Sequence, residues 1–72
     1  MNFYEYMMEH HLGKDTAKGD LAGDMRHEEG SFPKDGGHDE IRRYLVRRRA
    51  CRECLQIFER CWKKYTRSKL GG

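Results

Sequence analysis

Three cysteines are the residues of this sequence whose types and spacing could most directly support chemistry. Cys51 and Cys54 form a C-x-x-C pair, which could hold a metal ion or cycle between dithiol and disulfide. A structural zinc site needs four ligands, and the only further candidates are Cys61 and four histidines without a paired spacing. A thioredoxin-type pair would need a neighbouring βαβ unit, which the sequence pattern does not predict. We therefore predict no metal ion and no cofactor, and we interpret all three cysteines as small buried hydrophobic residues.

Histidines are the other candidates for catalysis. His10 and His11 are adjacent near the end of a predicted helix, and His27 precedes two glutamates. Neither group has the HExxH spacing that places two imidazoles on one helical face. A Cys/His nucleophilic pair remains as an alternative, although a bundle of 72 residues offers little to desolvate and orient it. The sequence therefore predicts no catalytic residues, no small-molecule substrate and no enzyme activity.

The composition indicates one helical domain with a charged exterior. Charged residues make up 38% of the chain, yet the aromatic residues recur at helical spacing and Pro33 is the only proline. We predict a cytoplasmic protein that does not contact membranes, because the sequence contains no long apolar run or secretory segment and has an odd number of cysteines. We expect a single domain over residues 1–72, with an ordered core at about residues 2–68 and a flexible tail at residues 69–72.

Capping signals and apolar periodicity predict the first three helices. Asn2 and Glu5 have the spacing of a capping box, and Gly13 is placed to end this first helix. Asp15 is predicted to cap a second helix, and a third begins near His38. Phe32 is predicted to be buried in the core from the turn-rich connector over residues 30–37. The helical residues predicted to face inward are Phe3, Tyr4, Met7, Met8, Leu12, Ala17, Leu21, Ala22, Met25, Ile41, Tyr44 and Leu45.

The last helix, predicted over roughly residues 50–68, has the clearest amphipathic pattern. After Leu45 the apolar stripe slips out of phase across residues 47–50, which predicts a break there, with one continuous helix over residues 39–68 as the alternative. At about 100° per residue, one arc contains apolar side chains, which we interpret as core packing rather than a base-stacking surface: Leu55, Phe58, Trp62 and Tyr65. The opposite arc contains cations: Arg49, Arg52, Arg60, Lys63, Lys64 and Arg67.

Four motifs in this order resemble the YozE-like family of short bacterial proteins with a sterile-alpha-motif-like (SAM-like) fold. They are Phe3-Tyr4-x-Tyr6, Ser31-Phe32-Pro33-Lys34, Glu40-Ile41-x-x-Tyr44-Leu45 and Phe58-x-x-x-Trp62-x-x-Tyr65. The resemblance implies an all-α, compact bundle of four or five short helices, with a real break near residues 47–50. It implies no reaction and no catalytic residues, and the last helix is far more basic here than the resemblance implies.

The charge distribution gives the strongest indication of function. Residues 1–36 carry eight acidic and four basic side chains, whereas residues 37–72 carry four acidic and eleven basic ones. The two halves should attract each other, with basic surface left over for a partner. We expect a non-catalytic protein–protein interaction module that contacts an acidic protein surface or self-associates, and the alternative is a nucleic-acid-binding protein. The candidate contacts are the six cations above, with a secondary basic track at Arg42, Arg43, Arg47 and Arg48.

Overall fold

Four helices make up the fold of this protein in a computed structural model that describes residues 1–71. They are α1 (Phe3–His10), α2 (Ala17–His27), α3 (His38–Arg47) and α4 (Arg52–Gly71), and residues 1–71 contain no strand. Helix α4 packs against each of the other three helices, and α1 also packs against α2. The all-α fold is therefore confirmed, with α4 as the element that every other helix contacts.

The helix boundaries confirm some capping predictions and correct others. Asn2 caps α1 as predicted, since its side chain accepts the Glu5 N–H at 2.8 Å while the Glu5 carboxylate accepts the Asn2 N–H at 3.1 Å. The cap of α2 is Thr16 rather than Asp15, because the Thr16 hydroxyl accepts the Gly19 N–H at 3.0 Å. Gly19 itself has no room for a side chain, because a Cβ there would overlap the carbonyl oxygen of Lys14.

The predicted end of the last helix also differs from the structure. Helix α4 continues through Gly71, past the predicted end at residue 68, while the flexible tail expected at residues 69–72 stays a prediction. The part of that prediction that concerns Gly72 lies outside the described residues. In the described part of the chain, no helix has both the length and the apolarity that a bilayer-spanning segment requires.

The core is built around the ring of Phe3. Its centroid lies 5.5 Å from that of Phe58 in an edge-to-face arrangement, 5.2 Å from Trp62 and 5.5 Å from Tyr65. Phe32 is buried as predicted, and its ring lies 5.8 Å from the ring of Tyr4. The aromatic residues of α1 and of the connector thus close onto the apolar face of α4.

Three residues do not follow the predicted inward pattern. Leu12 was expected to face inward, but it is exposed because α1 ends at His10 and the helical phase does not extend to residue 12. Ala17 is exposed at the first position of α2. Tyr6 is buried although the predicted stripe omitted it, because α1 is covered by α4 as well as by α2.

The predicted break between the third and fourth helices is real, and its local geometry explains it. The Arg49 N–H donates to the Val46 carbonyl at 2.9 Å, and the Ala50 N–H donates to the Leu45 carbonyl at 3.0 Å, which together form a Schellman motif. Arg49 occupies the left-handed position of this motif with a φ of 62°. The continuous helix is therefore wrong, and the chain turns at a residue that is neither glycine nor proline.

Replacing Arg49 with glycine should stabilise the protein, because glycine adopts a positive φ without steric cost. We expect the free energy of unfolding to rise by about 0.5–1 kcal/mol, measured by urea denaturation. The neighbouring Arg48→Gly substitution is the control, since Arg48 has a φ of −82° and forms an ion pair with Glu28. It should lower the stability, and a gain from Arg48→Gly equal to that from Arg49→Gly would contradict the backbone explanation.

Candidate functional site

The outward side of α4 is rich in cations, with the exposed Glu53 and Gln56 as interruptions near its N-terminal end. Arg52, Arg60, Lys63, Lys64 and Arg67 are all exposed, and we call these five residues the α4 basic face. The opposite side of the helix is core: Phe58, Cys61 and Tyr65 are buried, while Trp62 and Leu55 are half-buried and pack against the core cluster. The predicted division of this helix into an aromatic side and a basic side is therefore found in the structure.

The α4 basic face is not neutralised by the acidic half of the chain. Within residues 1–71, none of its five cations lies within ion-pair distance of a carboxylate. The one ion pair that joins the acidic and basic halves in this part of the chain links Glu28 to Arg48, away from the face. No direct ion pair therefore competes with an external anion for these five cations.

The secondary basic track is only partly available. The Arg42 Nε lies 3.4 Å from the Glu59 carboxylate, and Arg48 pairs with Glu28. Arg43 and Arg47 are exposed, and among the described residues neither forms an ion pair. Arg49 was assigned to the basic side of the last helix by extending the helical phase. Because α4 begins at Arg52, Arg49 instead lies in the short segment between α3 and α4.

One large apolar residue belongs to the same side of α4 as the cations. Leu70 is 89% exposed, and it follows Lys63 and Arg67 by seven and three residues, which places all three on one helical face. Sequence reasoning missed this residue, because it placed Leu70 in a flexible tail. A bare leucine beside cations can supply apolar contact area to a partner that also carries negative charge.

Two lysines from the acidic half of the chain, Lys14 and Lys18, lie near His11, as does Lys64 of the α4 basic face. Burial lowers the pKa of His11, and the positive charges of Lys18, Lys14, His10 and Lys64 lower it further. The His11 Nε2 is buried without a hydrogen-bond partner in the described part of the chain. Cations from α4 and from the acidic half of the chain are therefore grouped around His11, which no local pattern in the sequence could indicate.

The cysteines are not equivalent, which corrects the prediction that all three are buried. Cys61 is fully buried and Cys54 is half-buried, but Cys51 is exposed. The reason is that Cys51 precedes the first residue of α4, so its predicted place on the apolar arc does not apply. The Cys51 Sγ accepts the Cys54 N–H at 3.4 Å. Residues 1–71 contain no group of three or more side chains that could bind a metal ion.

His38 joins the start of α3 to the middle of α4. Its Nδ1 lies 3.0 Å from the Asp39 carboxylate and its Nε2 lies 2.7 Å from the Glu59 carboxylate, while its ring stacks on Phe58 with centroids 5.4 Å apart. The hydrogen bonds to Asp39 and Glu59 raise the pKa of His38 above its usual value. Sequence reasoning used this residue only as a helix start, because Glu59 is 21 residues away.

The raised pKa of His38 predicts a pH-dependent contribution to stability. A histidine whose pKa is higher in the folded state stabilises the fold fully below its unfolded pKa, and this contribution is lost as the pH rises through the folded pKa. We therefore expect the stability difference between the wild type and His38→Gln to be largest near about pH 5.5 and to shrink by about pH 8.5. Urea denaturation of both proteins across this range measures it, and a difference that grows with pH would contradict the assignment.

Comparison with known proteins adds one finding. The family model described as YozE SAM-like fold matches residues 2–67, which include all four motifs noted in the sequence. No curated protein and no solved structure is significantly similar to this chain.

Proposed function

This chain belongs to the YozE SAM-like family, and we propose that it is a non-catalytic, cytoplasmic interaction module that binds an acidic protein surface through the α4 basic face. Membership alone does not choose a function, because one fold can serve unrelated roles. The observation that carries the proposal is the set of five exposed α4 cations without a carboxylate partner in the described residues, together with the bare side chain of Leu70.

A protein partner is favoured by the combination of charge and apolar area. Cations at the rim of an interface mainly steer association and select the partner, whereas an apolar side chain that becomes buried contributes binding energy. Leu70 can contribute about 1.5–3 kcal/mol if a partner covers it fully. The partner that fits this surface is an amphipathic segment with carboxylates beside a small apolar hollow.

The acidic surface could come from a second copy of this chain. Asp20 and Asp24 are exposed on α2, and no ion pair in the described residues uses either carboxylate. Size exclusion at low and high salt tests this version of the proposal. A mass that falls to one chain at high salt would support self-association, and one chain at both salts would leave a separate protein as the partner.

Nucleic acid is a second candidate, and one observation favours it. Lys14 and Lys18 act on His11 together with Lys64, so cations outside α4 could add to the number of phosphates that the protein contacts. Such binding would weaken with salt, with a slope of about −0.9 per phosphate contact on duplex DNA. It would not depend on Leu70, because phosphate contacts gain nothing from an exposed leucine.

A binding assay with matched probes tests the proposal and separates these candidates. The probes are a labelled helical peptide with glutamates and leucines on one face, a polyglutamate peptide of equal charge, and a short DNA duplex, each titrated by fluorescence anisotropy. We expect the amphipathic peptide to bind about tenfold more tightly than polyglutamate, and Leu70→Ser to remove that advantage. Equal affinity for the two peptides, or tight DNA binding that Leu70→Ser leaves unchanged, would count against a protein partner.

A further inference from the structure

The first turn of α4 contains two cysteines in different environments. Cys51 occupies the N-cap position, because its carbonyl accepts the Leu55 N–H at 3.0 Å and its Sγ accepts the Cys54 N–H at 3.4 Å. Its side chain is exposed, while that of Cys54, three residues later, is half-buried. A small reagent in solution can therefore reach the Cys51 side chain more readily than the Cys54 side chain.

Several features of this turn stabilise a thiolate at Cys51. The Sγ lies at the N-terminal end of a 20-residue helix, where the helix dipole favours negative charge. The hydrogen bond from the backbone N–H of Cys54, followed by one from the Cys54 thiol, lowers the pKa of Cys51. The negative charge of the neighbouring Glu53 opposes this effect, but the hydrogen bonds outweigh it and the pKa of Cys51 remains lowered.

Cys54 has the opposite character. Its hydrogen bond to Cys51, followed by burial, raises the pKa of Cys54, whereas the pKa of Cys51 is lowered. Its side chain lines a cavity of about 200 Å³ between α2, α3 and the first turn of α4, next to Met25 and Ala50. Because the Cys54 N–H donates to the Cys51 Sγ, Cys54 lies on the same helical turn as that sulfur, where its thiol is placed to displace a group attached to Cys51.

We propose that Cys51 and Cys54 form a redox-active dithiol that exchanges with low-molecular-weight disulfides, with Cys51 as the attacking and Cys54 as the resolving residue. The Cys51 thiolate attacks one sulfur of the small disulfide, forming a mixed disulfide and releasing one thiolate. Cys54 then loses its proton to water and attacks the Cys51 Sγ, which forms the internal disulfide and releases the second thiolate. The two cysteines are oxidised, and the small disulfide is reduced to two thiols.

This exchange does not require a thioredoxin fold. It needs an accessible thiolate and a second thiol within reach, and the first turn of α4 supplies both. Cys61 does not take part, because its side chain is fully buried and burial raises the pKa of its thiol. The chain therefore has an internal control cysteine of low reactivity.

The reaction of the reduced full-length chain with glutathione disulfide tests the proposal. Mass spectrometry after alkylation should show a product lighter by two hydrogens, with the bond mapped to Cys51 and Cys54 and with Cys61 alkylated only after unfolding. Cys54→Ser should accumulate the mixed disulfide on Cys51. Cys51→Ser should react about tenfold more slowly at neutral pH, because the remaining thiol is protonated and half-buried.

The serine variants are matched to keep the fold. Serine is a good N-cap residue, so Cys51→Ser retains an acceptor for the Cys54 N–H, and circular dichroism should match the wild type. Three outcomes would each overturn the proposal: equal reaction rates for the two variants, disulfides that join separate chains, or a mixed disulfide that persists in the wild type.

Discussion

Replacing Phe58 with alanine is expected to lower the free energy of unfolding by about 3–5 kcal/mol. Phe58 has no exposed surface, and its ring contacts Phe3 edge to face and stacks against His38. A chain of 72 residues has a total stability of roughly 4–11 kcal/mol, so this loss removes much of it. Thermal unfolding followed by circular dichroism should show a strongly lowered midpoint or no transition.

A surface substitution provides the control for this prediction. Val46 is 48% exposed on α3, so Val46→Ala should change the free energy of unfolding by less than about 0.5 kcal/mol. Similar losses for Phe58→Ala and Val46→Ala would mean that the apolar side of α4 is not the centre of the core. A molten but still helical Phe58→Ala protein would agree with the account, because packing would have been lost.

Reversing two charges on the α4 basic face is expected to weaken binding of the acidic amphipathic peptide on the order of tens of fold. The double variant Lys63→Glu/Arg67→Glu removes two attractions and adds two repulsions beside Leu70, each worth about 0.5 kcal/mol at an exposed site, or about 2 kcal/mol in total. Neither side chain packs in the core, so the fold should be unchanged. The anisotropy titration used for the wild type measures the change.

A second double variant matches this change of net charge elsewhere on the surface. Arg43 and Arg47 are exposed on α3 and form no ion pair among the described residues, so Arg43→Glu/Arg47→Glu alters the total charge equally. We expect it to weaken binding only a few fold through the long-range field. If both variants lose affinity equally, net charge rather than the α4 basic face would be responsible.

Much of the fold could be predicted because its signals are local. The capping box at Asn2 and Glu5, the periodicity of Phe58 and Tyr65, and the phase slip after Leu45 each depend on residues that are close in sequence. The structure confirms all three. The residue that makes the turn, Arg49, could not be identified, because a left-handed arginine has no sequence signature and its motif is usually made by glycine.

The errors arose where a helical phase was extended past a helix end. Leu12 and Cys51 were predicted to be buried, but α1 stops at His10 and α4 starts at Arg52, so both side chains are exposed. Leu70 was missed for the reverse reason, because α4 extends to Gly71. Helix ends are determined by caps and packing as well as by periodicity, and these three residues show the consequence.

The parts of the candidate site that depend on tertiary contacts could not be predicted from the sequence. Lys14, Lys18 and Lys64 act together on His11 only because α4 packs against both α1 and α2. His38 reaches Glu59 across the interface between α3 and α4. These contacts join residues far apart in the chain, and a single sequence contains no signal for such pairs.

The most direct test of the account locates the surface that a partner contacts. Nitrogen–proton correlation spectra of the labelled protein, recorded while the acidic amphipathic peptide is added, report the environment of each amide. The largest shifts are expected on the outward side of α4, with little change at Ile41 or in the rest of the core. The residues expected to shift most are Arg60, Lys63, Lys64, Arg67 and Leu70. Shifts confined to α2 and the connector, with α4 unaffected, would contradict the assignment of the α4 basic face as the binding surface.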